Sequence, residues 1–203
     1  MSLSLIPLPD AELLLDPEFL KPAAATELLT ELTATIPWKH EAIRLFGKEV
    51  LQPRLTAWHG DAGAAYRYSG LQLTPQPWTT ALQQLRQQVE TVTGAQFNSV
   101  LLNLYRTGQD SMGWHADNEP ELGPRPVIAS VSLGATRSFR LRPRDPHLTP
   151  HPPISLQLTS GSLLVMRGTT QQAWLHALPK TTRVQEPRLN LTFRLVVGQR
   201  ATD

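Results

Sequence analysis

The sequence predicts an α+β chain in which helices come first and a β-sandwich or barrel follows. Three observations carry that prediction. From Asn98 onward, short apolar or alternating runs succeed one another: SVLLNLY, VIASVSL, RSFRLR, ISLQL, SLLVM and NLTFRLVV. Gly, Pro, Asp and Ser separate them, as turns separate strands. Before Asn98, two stretches carry the helical period instead. Length and composition, 203 residues with 40% hydrophobic and 18% charged, suit one globular domain with a substantial core.

Taken in order, residues 1–25 hold the Pro-containing runs LIPLP and LLLDPEFLKP and read as an arm lying on a single domain that spans 26–203. A short helix is expected from Ala23 to Ile36, stopped before Pro37-Trp38. A clearer one runs from about Pro77 to Val92, where Trp78, Leu82, Leu85, Val89 and Val92 fall on one face as a core-packing stripe. Thr93-Gly94 ends it. The strands follow, interrupted by Pro143–Pro153 (PRDPHLTPHPP), whose His147 and His151 read as loop residues rather than metal ligands.

Composition excludes several chemistries. There are no cysteines, so disulfides, thiolate zinc sites and cysteine nucleophiles are ruled out, and any metal falls to His and carboxylate. The N-terminus lacks a basic n-region and soon reaches Asp10, unlike a signal peptide, and no apolar run is long enough to cross a bilayer. A soluble intracellular protein is expected, cytoplasmic or, in a eukaryote, nuclear. Net charge is +2, with a pI of about 9.2. Arg137, Arg140, Arg142 and Arg144 fall close together, either as phosphate contacts or as a solvated strand edge.

His115-Ala116-Asp117 is the first piece that carries chemistry. In an extended segment, residues i and i+2 point to the same side, so an imidazole and a carboxylate can address one ion. His176, in AWLHALP after the strand-like SLLVM, is the candidate third ligand. Two His and one carboxylate on one face leave three positions open, as in non-haem Fe(II) oxygenases, with zinc as the competing metal. Further on, RLNLTFR alternates: Arg188, Asn190, Thr192 and Arg194 share one face, and Leu189, Leu191 and Phe193 the other. Two guanidiniums on a polar face suit a small dicarboxylate, because Arg forks match carboxylates bidentately.

These pieces join others in a recognisable order: FGK at Phe46–Lys48, PR at Pro53-Arg54, GDAG at Gly60–Gly63, YSG at Tyr68–Gly70 and NLY at Asn103–Tyr105. HAD with Asn118-Glu119, IASVSLGATRSF at Ile128–Phe139, GSLLVM at Gly161–Met166, His176 and RLNLTFR complete the set. Over roughly Phe46 to Val197 the chain resembles the AlkB-like Fe(II)/2-oxoglutarate-dependent dioxygenases, most strongly the branch that repairs alkylated nucleic acid. The resemblance implies a double-stranded β-helix, or jelly-roll, core over about residues 96–198, with N-terminal helices and a nucleotide-recognition lid over about 40–75. It implies Fe(II) held by His115, Asp117 and His176 as the catalytic centre. Asn103, Tyr105, Arg188, Asn190 and Arg194 would contact 2-oxoglutarate, and Arg188 would pair with its distal carboxylate. With O2 as oxidant, decarboxylation to succinate would drive hydroxylation of an N-methyl carbon, and formaldehyde would leave.

A base within a duplex cannot reach a buried iron, so such an enzyme binds single strands or flips the base out. By resemblance, Tyr66, Tyr68 and Glu119 contact the flipped base, Arg54 and Lys48 contact phosphates, and Phe46 is an unstacking wedge. From its own chemistry Phe46 reads as a core residue, and the tyrosines read equally as ordinary packing of an amphipathic strand. Asn118 stands where relatives often carry Asp, and ALPKTTRVQEPR is less basic than in duplex-acting relatives. The expected partner is alkylated DNA, with RNA as an alternative; no membrane partner is expected, and the chain is expected to be monomeric. Two further functions compete with base demethylation of the 1-methyladenine and 3-methylcytosine type. One is a dioxygenase of the same family acting on a protein, lipid or small molecule; the other is a catalytically silent nucleic-acid-binding module.

Overall fold

The computed structural model describes residues 3–45, 48–64, 66–68 and 71–197. The chain begins with strands β1 (Ser4–Ile6) and β2 (Glu12–Asp16), then helix α1 (Pro22–Thr35). Next come β3 (Ala42–Leu45), β4 (Lys48–Leu51), β5 (Leu55–Gly60), β6 (Tyr66–Tyr68), β7 (Leu71–Leu73) and helix α2 (Thr80–Thr93). The second half contains β8 (Ser99–Tyr105), β9 (Met112–His115), β10 (Ile128–Gly134), β11 (Arg137–Pro143), β12 (Ile154–Leu158) and β13 (Leu163–Arg167). A single turn of helix, α3 (Thr170–Ala173), then leads into β14 (Trp174–Leu178) and β15 (Arg188–Arg194).

Both helices start and stop where local chemistry requires. Pro22 opens α1, its missing N–H being one the first turn would leave unpaired anyway, and extended Ile36 precedes Pro37. Thr79 caps α2 by accepting from the Leu82 N–H, and Gly94, at φ +67°, ends it in the left-handed region. Trp78 precedes this helix rather than belonging to it, and stacks on Phe193 with ring centroids 6.5 Å apart. α2 buries Leu82, Leu85 and Val89. At about 1.5–3 kcal/mol for each such side chain, that stripe is what docks an otherwise polar helix.

The strands form a seven-stranded sheet, in the order β1-β2-β13-β10-β15-β8-β5, and a four-stranded sheet, β12-β11-β14-β9, with hairpins β3–β4 and β6–β7 beside them. From β8 to β15 the chain passes from one sheet to the other at every step except the β11–β12 hairpin. The inner orders β8-β15-β10-β13 and β9-β14-β11-β12 are those of a double-stranded β-helix. The N-terminal segment adds β2 to the outside of β13, pairing Leu14 with Val165. The larger sheet is covered on both faces. Val100, Leu102, Leu189, Leu191 and Phe193 pack with the helices on one side, while Leu101, Ile128 and Leu164 pack with Leu141, Leu158 and Trp174 on the other. That is why SVLLNLY is buried at every position. Among the described residues no helix is long and apolar enough to cross a membrane.

Candidate iron and 2-oxoglutarate site

β9 and β14 are neighbours in the four-stranded sheet, and their register sets His115 directly opposite His176. The imidazole rings meet edge to face at 4.2 Å between centroids, and Phe139 from β11 stacks on His176 at 5.3 Å. Between this pair and the next, Met112 opposite Leu178, β9 takes three steps where β14 takes two. The extra residue is a β-bulge, a device that re-aims side chains beside a site. It lets both Met112 and His115 line the cavity. It also turns the Gly113 carbonyl to within 2.9 Å of His115 Nδ1. A carbonyl only accepts, so Nδ1 carries the proton and Nε2 keeps a bare lone pair, the tautomer a metal ligand needs.

Asp117 lies two residues past His115, beyond the end of β9. It is therefore not delivered by the pleat of a strand. Its backbone N–H donates to Gln171 Oε1 on α3 at 2.9 Å, and its Oδ2 accepts from Arg194 Nη2 on β15 at 2.9 Å. Oδ1 is buried, lies 3.9 Å from His115 Nε2, and has no hydrogen-bond partner among the described residues. A carboxylate oxygen so placed, in a group that is 2% exposed, fits a cation. One ligand atom from each of His115, Asp117 and His176 lies within 4.8 Å of the others.

The electrostatics keep Asp117 and His176 in ligand form. Burial opposes ionisation of Asp117, yet the charges of Arg194, His176 and His115 and the Arg194 hydrogen bond hold its carboxyl at about 2. Burial, followed by the charge of His115, pushes His176 down to about 3, against the pull of Asp117. At neutral pH the carboxylate is charged and His176 is neutral, so no proton has to leave either before a metal enters.

A cavity of about 510 Å³, including open solvent at its entrance, connects this cluster to β15. Arg188, Asn190, Thr192 and Arg194 face it, while Leu189, Leu191 and Phe193 face the helices. β15 lies between β10 and β8, which explains why its polar face is enclosed rather than wet. Arg188 is 2% exposed; its Nη2 donates to Ser132 Oγ at 2.9 Å, and its Nε has no partner among the described residues. Burial, helped by the charge of Arg137 and opposed by Tyr105, lowers its pKa to about 10. Both guanidiniums lie over the Tyr105 ring, Arg188 at 5.5 Å and Arg137 at 5.9 Å from its centroid. An enclosed cation short of acceptors is what a carboxylate ligand would complete.

The other expected contacts divide. Asn103 lines the cavity, and its Oδ1 accepts from Arg54 Nε at 2.7 Å, which turns the amide NH2 toward the cavity. Asn190 gives its NH2 to Ser130 Oγ and the Val131 carbonyl, at 2.7 and 3.2 Å, and accepts from Thr192 Oγ1 at 3.1 Å, so it braces the wall. Arg54 is not at a surface that phosphates reach. It is 3% exposed, and its guanidinium, just before β5, is spent on Asn103, Gln52 and the Ser111 carbonyl. Arg137 likewise turns inward and holds the carbonyls of Thr107, Asp110 and Pro179. Arg144 donates to the Gln171 carbonyl while staying exposed, and Arg140 and Arg142 are exposed on the outer face. Glu119 is half-buried, and its Oε2 has no partner among the described residues. Phe46 lies outside the described residues; Tyr66 and Tyr68 are described as backbone of β6 only.

Sequence reasoning missed Gln171, Phe139, Ser130 and Ser132. Alternation along RSFRLR could have found Phe139, which shares the inward face with Arg137 and Leu141. Ser130 and Ser132 alternate likewise along β10 and fall opposite Thr192 and Asn190 of β15. Gln171 had no local signal, being brought in only by α3.

Two imidazoles, one carboxylate and an enclosed guanidinium in a jelly roll define the class of non-haem Fe(II) enzymes that take a 2-oxo acid. Residues 12–194 match the 2OG-Fe(II) oxygenase superfamily, and the chain belongs to it. It is a dioxygenase that uses Fe(II), 2-oxoglutarate and O2. It is 41% identical over 200 residues to human alpha-ketoglutarate-dependent dioxygenase alkB homolog 3, covering 96% of this chain and 69% of that protein. It is 44% identical over 183 residues to mouse DNA oxidative demethylase ALKBH2, covering 86% and 76%. The solved structure of OsALKBH1 superposes with a TM-score of 0.60 at 15% identity, over 96% of this chain and all of that one, a likeness of fold.

Proposed function

We propose that this protein removes alkyl groups oxidatively from nucleobases of the 1-methyladenine and 3-methylcytosine type in DNA, and that RNA is a second substrate. The observation that carries this reading is the 44% identity, over 86% of the chain, to a protein named as a DNA oxidative demethylase, beside the His–Asp–His cluster and the Arg188 cavity of this chain. In this reading it acts inside the cell as a monomer, and residues about 40–75 form the nucleotide-recognition lid.

His115 Nε2, Asp117 Oδ1 and a His176 nitrogen would hold the iron. With 2-oxoglutarate and O2 it supplies the oxidation that hydroxylates an N-methyl carbon, giving succinate, CO2 and a hemiaminal. The hemiaminal then loses formaldehyde and leaves the unmodified base, without a protein nucleophile. Arg188 would pair with the far carboxylate of 2-oxoglutarate, and the Asn103 amide would donate to the same molecule. Arg194 fixes the Asp117 rotamer, leaving Oδ1 to the metal. Phe139 holds the His176 ring, and Met112, Met166 and Leu178 keep that end of the cavity apolar and poor in water. Glu119, with a buried carboxylate oxygen in reserve, would accept from an exocyclic amine of the base; Phe46, Tyr66 and Tyr68 would handle it from the lid.

Formaldehyde release from methylated single-stranded DNA, duplex DNA and RNA tests this directly, with Fe(II) and 2-oxoglutarate each left out in turn. Release that needs both cosubstrates is expected. Iron-loaded protein that consumes 2-oxoglutarate but frees no formaldehyde from any nucleic acid would favour a protein, lipid or small-molecule substrate.

A further inference from the structure

The bulge that aims Met112 and His115 into the cavity leaves Trp114, the residue between cavity and solvent, on the outer side of the four-stranded sheet. Trp114 is 39% exposed and is next in sequence to a metal ligand. The Arg142 guanidinium lies over its indole, 4.6 Å from the ring centroid. Alternation along β11 places Arg140 and Arg142 on the same outer face, opposite inward-facing Phe139 and Leu141. Both arginines are exposed, and neither forms an ion pair among the described residues. The outward neighbours across β12, Ser155 and Gln157, are uncharged. The face therefore carries two cations and an aromatic ring, with no carboxylate on these strands to neutralise it. A cation held against indole keeps its donors directed outward, already ordered for a flat or anionic partner.

We propose that this face binds the nucleic-acid strand next to the target nucleotide: Arg140 and Arg142 contact its phosphates, and Trp114 stacks on a flanking base. The inference rests on the nucleobase-demethylase reading. Charge complementarity selects the occupant, since a polyanion with exposed π faces satisfies both residue types at once. Position supports it too, because β9 is the outermost strand of its sheet, and consecutive Cα atoms lie about 3.8 Å apart. A strand whose methylated base reaches the metal beside His115 brings its flanking nucleotides near Trp114, the next residue in the chain. Within β11, where Arg137 turns inward, Arg140 and Arg142 are the exposed cations.

The test uses metal-loaded protein and methylated single-stranded DNA. Each phosphate contact contributes about 0.7 to the slope of log affinity against log salt for single strands, so Arg140→Gln/Arg142→Gln should lower it by about 1.4. Arg140→Lys/Arg142→Lys should retain most of the slope, since point charges suffice for that term. Trp114→Ala should weaken oligonucleotide binding about tenfold while leaving the salt slope near its starting value. In the Gln and Ala variants the ratio of kcat/KM on a methylated oligonucleotide to that on a methylated mononucleotide should fall, because only the longer substrate reaches the face. Variants that match the parent in slope and ratio, while the parent demethylates oligonucleotides, overturn this surface alone. A parent that turns over 2-oxoglutarate but neither binds nor demethylates nucleic acid overturns the demethylase reading as well.

Discussion

Replacing Arg188 with methionine should stabilise the ligand-free protein and nearly abolish its response to 2-oxoglutarate. Arg188 is 2% exposed, donates to Ser132 Oγ, and has its Nε unpartnered among the described residues. Burial is the main cause of the fall in its pKa from 12.5 to about 10. A base whose folded pKa is depressed destabilises the fold at every pH where it stays charged, so the whole penalty is present at neutrality. At 1.36 kcal/mol per pH unit it is about 3 kcal/mol. Methionine keeps much of the aliphatic volume but loses the hydrogen bond to Ser132, about 1 kcal/mol. The net gain of about 2 kcal/mol raises Tm by about 4–8 °C in a chain of this size. Binding moves the other way: losing one partner of a buried charged pair costs about 2–5 kcal/mol, or at least about thirtyfold in KM for 2-oxoglutarate. Thermal melts without ligand, and again with Mn(II) and 2-oxoglutarate, read the two effects separately; succinate formation gives the KM. A lower Tm would refute the burial arithmetic, and an unchanged KM would refute the placement of the carboxylate against Arg188.

Two further perturbations probe the metal end. Gln171→Leu removes the acceptor of the Asp117 N–H, leaving a buried donor unpaired at a cost of about 1–3 kcal/mol. It should lower Tm and weaken Fe(II) binding by metal titration, and a variant with parental metal affinity would show that Arg194 alone positions Asp117. In the metal-free protein, stability should fall with pH from 6.5 towards 3, because the unfolded chain gains a proton on His176 that the folded chain, with this pKa at about 3, refuses. The slope is up to about 1.4 kcal/mol per pH unit. Asp117 adds to it only below 3.8, where the carboxylate stabilisation present at higher pH is lost towards about 2. Urea midpoints measured through this window should track the slope and lose its upper part in His176→Gln; a profile that His176→Gln leaves unchanged would contradict it.

The two helices, the strand-rich second half and the two-faced β15 were legible because each rests on local periodicity. Alternation in RLNLTFR and the helical stripe through Leu82, Leu85 and Val89 are properties of neighbouring residues, and the described structure realises both. What escaped depends on contacts distant in sequence. Arg54 and Arg137 read as surface cations because nothing near them in the chain shows that the fold turns them inward, onto Asn103 and onto three backbone carbonyls. Gln171 and Asp117 are 54 residues apart and meet only through the fold. The N-terminal segment read as an arm because its Pro-broken runs carry no sheet partner of their own. Its partner, β13, comes more than a hundred residues later.

The metal ligands show most clearly how a correct pairing can have a different physical cause. Spacing in an extended strand put His115 and Asp117 on one side, but β9 ends at His115 and Asp117 lies beyond the pleat. They converge because the bulge at Gly113-Trp114 turns His115 inward and fixes its tautomer, while Gln171 and Arg194 draw Asp117 towards it from the backbone side and the carboxylate side. The site is thereby tied to both sheets: His115 and His176 belong to one, and the anchor of Asp117 to β15 of the other. Any shift of one sheet against the other would separate the imidazoles from the carboxylate. A ligand set spread in this way loads its metal only in the closed jelly roll, so iron binding should report the packing of the two sheets as well as the chemistry of three side chains.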